Sequence, residues 1–206
     1  MRDFVSLGDV IPDIMLDVRY YSTYNFIGDR VRGYNEPVAL LSSKAALALV
    51  GASEDAMKLG CRLKVYDAYR PQTAVEHFKE WAANSSDIRM KRYFYPTVDK
   101  SILIPKGYIA DRSSHSRGST VDLTLFSMNR GQDLDMGSTF DYFGSVSHVD
   151  YKDLSDEQIT NRNILQTLMA RHGFVPLNEE WWHFTLKNEP FPDKYFYFPV
   201  ERRSVI

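Results

Sequence analysis

With 206 residues, 44% of them hydrophobic and 25% charged, the chain has the make-up of one globular domain over residues 1–206, long enough to bury a real core. Its formal charge of −2, from 25 Lys and Arg against 27 Asp and Glu, gives no electrostatic reason to expect nucleic acid or an anionic membrane as a partner. The single cysteine, Cys61, excludes an intramolecular disulfide, and no run of about 18 apolar residues predicts a transmembrane helix.

The start, Met1-Arg2-Asp3-Phe4-Val5-Ser6, lacks a basic stretch followed by an apolar run, so no secretory signal is read there and the cytoplasm is the expected location. The first forty residues mix Asp, Arg, Tyr and Gly and read as an ordered but irregular approach. Ser42 or Ser43 caps a predicted helix through Lys44–Leu49 to about Leu59, with Gly60 as its stop. Cys61, Leu63 and Val65 then alternate with polar residues at strand period, which makes Cys61 a small core residue. Pro71 fits the first turn of a helix containing Ala74, Val75, Phe78 and Trp81. Residues 84–112 read mostly as loop, punctuated by Pro96, Pro105 and Gly107, and the basic residues of Lys100–Arg117 are scattered as on a solvated loop.

Val121, Leu123 and Leu125 alternate with Thr120, Asp122 and Thr124, a second strand, and residues 126–150 read as a long Gly-, Ser- and Asp-rich loop. Ser155-Asp156-Glu157-Gln158 is a capping box, opening a helix expected to bury Ile159, Leu165, Leu168 and Met169 and to stop at Gly173. Trp181, Trp182, Phe184 and Thr185 make 181–186 a strand, and the tail, with Pro190, Pro192 and Pro199 among aromatics, wraps the surface. This order predicts an α+β fold: a small, mostly antiparallel sheet flanked by helices, with long loops. Nothing in it argues against a homo-oligomer.

Two segments carry chemistry. In Ser113-Ser114-His115-Ser116-Arg117-Gly118-Ser119-Thr120-Val121-Asp122, a loop histidine alone is most simply a solvated or hydrogen-bonded group. Asp122 says more, because a carboxylate inside an apolar strand is costly unless paired or coordinated, and Gly118 lets the chain fold His115 back beside it. In Glu179-Glu180-Trp181-Trp182-His183-Phe184, a core histidine and a surface glutamate are the plainest reading. For Glu180 and His183 to share a site the chain must bend, since strand positions three apart face opposite ways. Taken together, the pieces fit a zinc hydrolase with its metal on the sheet: His115, Asp122 and His183 as three ligands, and Glu180 as a free carboxylate able to move a proton. Arg70, in Tyr66-Asp67-Ala68-Tyr69-Arg70-Pro71, either stabilises an oxyanion beside the metal or pairs with Asp67 or another carboxylate. Of the other histidines, His77 reads as a helix surface or boundary residue, His172 as complementing a helix end, and His148 as a loop residue that could lie near the site.

The residues also carry a resemblance. Asn25-Phe26 with Gly28, Tyr69-Arg70-Pro71, Gly107-Tyr108, Ser113–Leu125, Met136-Gly137-Ser138 with Phe140-Asp141, Glu180-Trp181-Trp182-His183, Asn188-Glu189-Pro190 and Tyr195-Phe196 with Phe198-Pro199-Val200 run nearly end to end. In these the chain resembles the D-alanyl-D-alanine dipeptidases of the vancomycin-resistance type, within the zinc peptidases that include D-Ala-D-Ala carboxypeptidases. The resemblance implies one zinc on His115, Asp122 and His183, Glu180 as base and then acid, and Arg70 polarising the scissile carbonyl. It implies that Ser113 and Asp141 hold the free amine of a small D,D-dipeptide. The chain departs from the pattern in a less acidic loop after Asp141, Tyr142–His148, and in Thr120, where Ala is usual. The alternatives are a carboxypeptidase cutting D-Ala from a cell-wall peptide, or a non-catalytic zinc-stabilised binding module. Asp141 separates the first, because an amine-binding carboxylate favours a substrate that begins at that residue.

Overall fold

The computed structural model describes residues 3–105, 108–109 and 111–205; Met1, Arg2 and the loop residue Gly107 discussed above lie outside them. In chain order the elements are β1 (Phe4–Ser6), α1 (Leu7–Val10), β2 (Met15–Leu16), β3 (Leu40–Ser42), α2 (Ser43–Lys58), β4 (Cys61–Asp67), α3 (Gln72–Ala83), α4 (Lys91–Phe94), β5 (Thr120–Ser127), β6 (Gln132–Asp133), α5 (Asp156–Arg171), β7 (Phe174–Leu177) and β8 (Glu180–Leu186).

Local chemistry accounts for the longer elements. In α2, Ala45, Ala46, Leu49, Ala52, Ser53 and Ala56 recur at three- and four-residue spacing and are buried, a face of small side chains that allows close packing on β4. The helix stops where Gly60 takes a left-handed φ of 73°. Buried Leu63 and Val65 of β4 lie beside buried Leu125 and Leu123 of β5, so the alternation in both strands defines one apolar face. The main sheet runs β2-β4-β5-β8-β7, with β6 paired to β5; only β2–β4 is parallel. α5 packs on β7 and against α2, while β1 and β3 form a separate antiparallel pair. The fold is thus α+β, with a mixed but mostly antiparallel sheet. Among the described residues no helix is long and apolar enough to cross a membrane.

Four details differ from the sequence reading. Pro71 is the residue before α3 (φ −67°, ψ 150°), one position ahead of the first turn. Ile159 is 39% exposed, because the buried face of α5 is centred on Leu165, about 120° away around the helix. β7 was not expected: Pro176 and the exposed Val175 and Leu177 mask it, and it is tolerated because it forms the sheet edge. β5 reaches Ser127, and β6 lies inside the expected loop. The tail does wrap the body, placing Phe191, Phe196 and Phe198 with ring centroids 6.1, 4.9 and 5.0 Å from that of Phe4.

The long 126–150 segment is organised by one side chain. Arg162 of α5, 4% exposed, donates from Nε to the Met136 carbonyl (2.7 Å), from Nη1 to that of His148 (2.8 Å) and from Nη2 to that of Val146 (2.7 Å). Arg162→Ala strips three carbonyls of a partner at once. We expect a loss of at least about 3 kcal/mol in denaturant titration, as each buried unpaired group costs about 1–3 kcal/mol. Faster amide exchange at 136–148 should accompany it; unchanged stability and exchange would show that the loop holds itself.

Candidate active site

The antiparallel register of β5 and β8 sets Asp122 opposite His183, so both side chains leave the same face of the sheet. His115 arrives from a 3₁₀ turn over Ser114–Arg117, which starts where the Ser113 hydroxyl accepts the His115 N–H (3.3 Å). The turn ends at Gly118, φ 80°, where a Cβ would lie 2.3 Å from the Phe4 ring. His115 Nε2 thereby lies 3.2 Å from Asp122 Oδ2, and His183 Nδ1 lies 3.2 Å from Asp122 Oδ1.

Each ring is held by its other nitrogen. His115 Nδ1 donates to the Ala68 carbonyl (2.6 Å), and His183 Nε2 lies 3.3 Å from Ser114 Oγ, to which it donates in the tautomer that frees Nδ1. These bonds leave His115 Nε2 and His183 Nδ1 with lone pairs pointing inward. His115 Nε2, Asp122 Oδ1 and His183 Nδ1 are buried and have no hydrogen-bond partner among the described residues, and the three residues offer ligand atoms within 4.8 Å of one another. Buried polar atoms are rarely left unpaired. Three orphans converging from two imidazoles and a carboxylate fit a metal ion and the donor set of a zinc site.

Two bulges bring further carboxylates to this face. Between β4 and β5 the register slips at Tyr66: Val65 pairs with Leu123, but Asp67 pairs with Asp122. Without the slip Asp67 would share the apolar face of Val65. Between β7 and β8, Pro176 pairs with Phe184 while its neighbour Leu177 pairs with Glu180. That larger slip resolves the parity problem at Glu180 and brings its Oε2 to 3.3 Å from His183 Nδ1.

Arg70 makes the expected pair with Asp67 and also lines the cavity shared by the three candidate ligands. Its Nη2 lies 2.8 Å from Asp67 Oδ2 and 3.5 Å from Asp122 Oδ2, and its Nε donates to Asp67 Oδ2 (2.9 Å). The Tyr34 hydroxyl donates to Asp67 Oδ1 (2.6 Å). The Arg70 guanidinium rests over the rings of Tyr20 (4.9 Å) and Phe78 (5.1 Å). Asp141, 6% exposed, has a φ of 61°, the only positive value at a non-glycine among the described residues, and accepts from the Tyr20 hydroxyl (2.9 Å).

The electrostatics divide the site in two. Burial works against the charged forms of both Asp122 and His183. Even so, the two imidazoles hold Asp122 below the usual carboxylate range, and Asp122 with Glu180 lifts His183 to about 9. This pole is rich in negative charge, and the carboxylates that favour a proton on His183 would equally favour a metal ion there. Asp141 moves the other way: burial, then the repulsion of Asp122, raises it well above the normal carboxylate value. It is a buried carboxyl group short of a counter-charge.

Arg70, Ser113, His115, Asp122, Asp141, Glu180 and His183 all line one cavity of about 340 Å³, whose apolar walls include Val75, Phe78, Ile109 and Phe143. His148 does not line it, and its carbonyl is taken by Arg162. His77 is half-buried on α3, and His172 bonds Asp55 through Nε2 at 3.0 Å. Sequence reasoning missed Tyr20, Tyr34 and Ser114. Tyr20 lies 121 positions from its partner Asp141, so no local pattern signals the pair.

Comparison with known proteins finds relatives along nearly the whole chain. The model of an M15 peptidase family described as D-ala-D-ala dipeptidase matches residues 1–201. A D-alanyl-D-alanine dipeptidase of Enterococcus faecalis is 40% identical over 197 residues, covering 96% of this chain and 98% of that protein. One from Streptomyces coelicolor is 40% identical over 199 residues, with the same coverage, and one from Escherichia coli is 32% identical over 184 residues, covering 89% of this chain and 84% of that protein.

If the three orphaned atoms hold a metal, elemental analysis of the purified protein should find about one divalent ion per chain, as a single set of three protein ligands allows. His115→Ala and His183→Ala should each remove it. Full metal content in either variant would take that histidine out of the ligand set.

Proposed function

The chain belongs to the D-ala-D-ala dipeptidase family of M15 peptidases, and from that premise we propose that it is a zinc-dependent enzyme hydrolysing D-Ala-D-Ala to two molecules of D-alanine. The observation that carries this reading is the pairing, in one small cavity, of a three-ligand metal set with Asp141, a buried carboxylate short of a counter-charge. The first supplies hydrolysis and the second selects a free amine.

His115, Asp122 and His183 would hold the zinc. Zinc bound there would polarise the scissile carbonyl and acidify water toward neutrality. Glu180, whose side chain is 26% exposed, reaches both the cavity and solvent. It takes a proton from the attacking water and returns it to the leaving amine. Arg70, fixed by Asp67 and by two ring faces, presents positive charge to the developing oxyanion without having to reorganise. Asp141 pairs with the substrate ammonium, and Ser113 adds a hydrogen bond. A peptide extended at its amino end would have to replace that ammonium at a carboxylate 6% exposed, which weighs against the carboxypeptidase alternative. We place the activity in the cytoplasm, as one domain over residues 1–206, acting on a cell-wall building block in antibiotic resistance or in dipeptide recycling.

Two measurements test the roles. Glu180→Ala should keep its metal and lose turnover by at least about a hundredfold, the contribution general acid–base catalysis typically makes; loss of the metal instead would make Glu180 a ligand. Free D-Ala-D-Ala should be cleaved at least about a hundredfold faster than its N-acetyl form, because acylation removes a charge-assisted contact and adds bulk. Asp141→Ala should narrow that gap, and equal cleavage of both substrates by the unaltered enzyme would promote the carboxypeptidase.

A further inference from the structure

A dipeptide is a zwitterion, and the site described so far provides for only one of its ends. The acids lining the cavity are Asp122, Asp141 and Glu180. Among its described lining residues the guanidinium and ammonium groups number two, Arg70 and Arg112. Arg70 is committed: Asp67 takes its Nε and Nη2, and Asp122 lies 3.5 Å from Nη2. It is also buried beneath two rings, on the side of the metal ligands.

Arg112 is in the opposite state. It is exposed, stands three residues before His115 at the rim of the cavity, and has no carboxylate partner among the described residues. Its neighbour Asp111 is already paired with Lys79. The Arg112 guanidinium lies over the ring of Tyr195, with Cζ 4.8 Å from the ring centroid. A guanidinium resting on an aromatic face keeps its N–H donors free in its own plane, the geometry that grips a carboxylate through two parallel hydrogen bonds. The cavity therefore has a buried negative pole at Asp141 and a free positive pole at its mouth.

We infer that Arg112 binds the C-terminal carboxylate of the dipeptide, with Tyr195 as the platform that orients it; this rests on the dipeptidase reading above. The substrate then lies across the metal ligands with its ammonium at Asp141 and its carboxylate at the rim. Arg112 is a specificity residue, selecting for a free C-terminus, and has no part in moving protons.

The test compares D-Ala-D-Ala with its C-terminal amide in the metal-loaded enzyme and in Arg112→Ala and Arg112→Lys. Because Arg112 is exposed, the variants should keep their fold and metal, which melting temperature and elemental analysis check. For the free dipeptide, Arg112→Ala should raise KM about tenfold, the effect of losing one solvent-accessible charge-assisted contact, with kcat little changed. Arg112→Lys should recover part of this loss. For the amide, a poorer substrate throughout, kcat/KM should not change between the two enzymes. Added salt should raise KM for the dipeptide in the unaltered enzyme and much less in Arg112→Ala. An equal effect on both substrates, or on neither, overturns the assignment of Arg112 while leaving the dipeptidase standing. If the unaltered enzyme fails to cleave D-Ala-D-Ala at all, the dipeptidase reading falls and this inference falls with it.

Discussion

The Asp122 carboxylate is 1% exposed in the middle of a strand whose other face is Val121, Leu123 and Leu125. An ionised group in that position is not tolerated without compensation, and most of the surrounding architecture supplies it. Two imidazoles and Arg70 crowd the carboxylate, and each is fixed by a further partner: His115 by the Ala68 carbonyl, His183 by Ser114, Arg70 by Asp67, and Asp67 in turn by Tyr34. Hydrogen-bonded chains of this kind make each orientation depend on the next. Three carboxyl groups, Asp67, Asp122 and Glu180, surround one guanidinium, Arg70, an excess of acid that would suit a divalent cation. Asp141 stands outside this cluster, and on the function proposed above it would take the substrate's ammonium.

Different layers of the chain hold different parts of the site. The candidate metal ligands come from the sheet and from a turn braced by the segment after β4 and by β3: the Arg70 N–H donates to the His115 carbonyl (3.4 Å), and the Ser42 N–H to that of Gly118 (2.7 Å). Asp141 rides on a loop that leaves the sheet and is tied to α5 through Arg162. Thr120, the departure from the family pattern, meets Thr185 across the sheet with their hydroxyls 2.9 Å apart, so its polar group is satisfied where it is buried.

Much of this could be read from residue order. Alternation marked β4 and β5, the Gly60 stop marked α2 and the capping box α5, and the misfit of Asp122 in an apolar strand singled out the site; the Ser42 hydroxyl, expected as a cap of α2, bonds Ser119 instead. What could not be read depends on how segments pair and pack. β7 is recognisable only once β8 pairs with it, because its Pro176 and exposed apolar residues argue against a strand. The bend that brings Glu180 to His183 is a property of register, which belongs to two strands and is written in neither. Ile159 was misplaced because the buried face of α5 is partly polar, built from Asn161 and Arg162 as well as leucines.

The two bulges have a consequence for how such a site can change. Substituting a residue on β4 or β8 alters one side chain, but a deletion at Tyr66, or of one residue between Glu180 and Phe184, would turn a carboxylate from one side of the sheet to the other. Along these two stretches the number of residues is therefore a component of the site in its own right. The spacing here carries chemical information that no choice of amino acid restores.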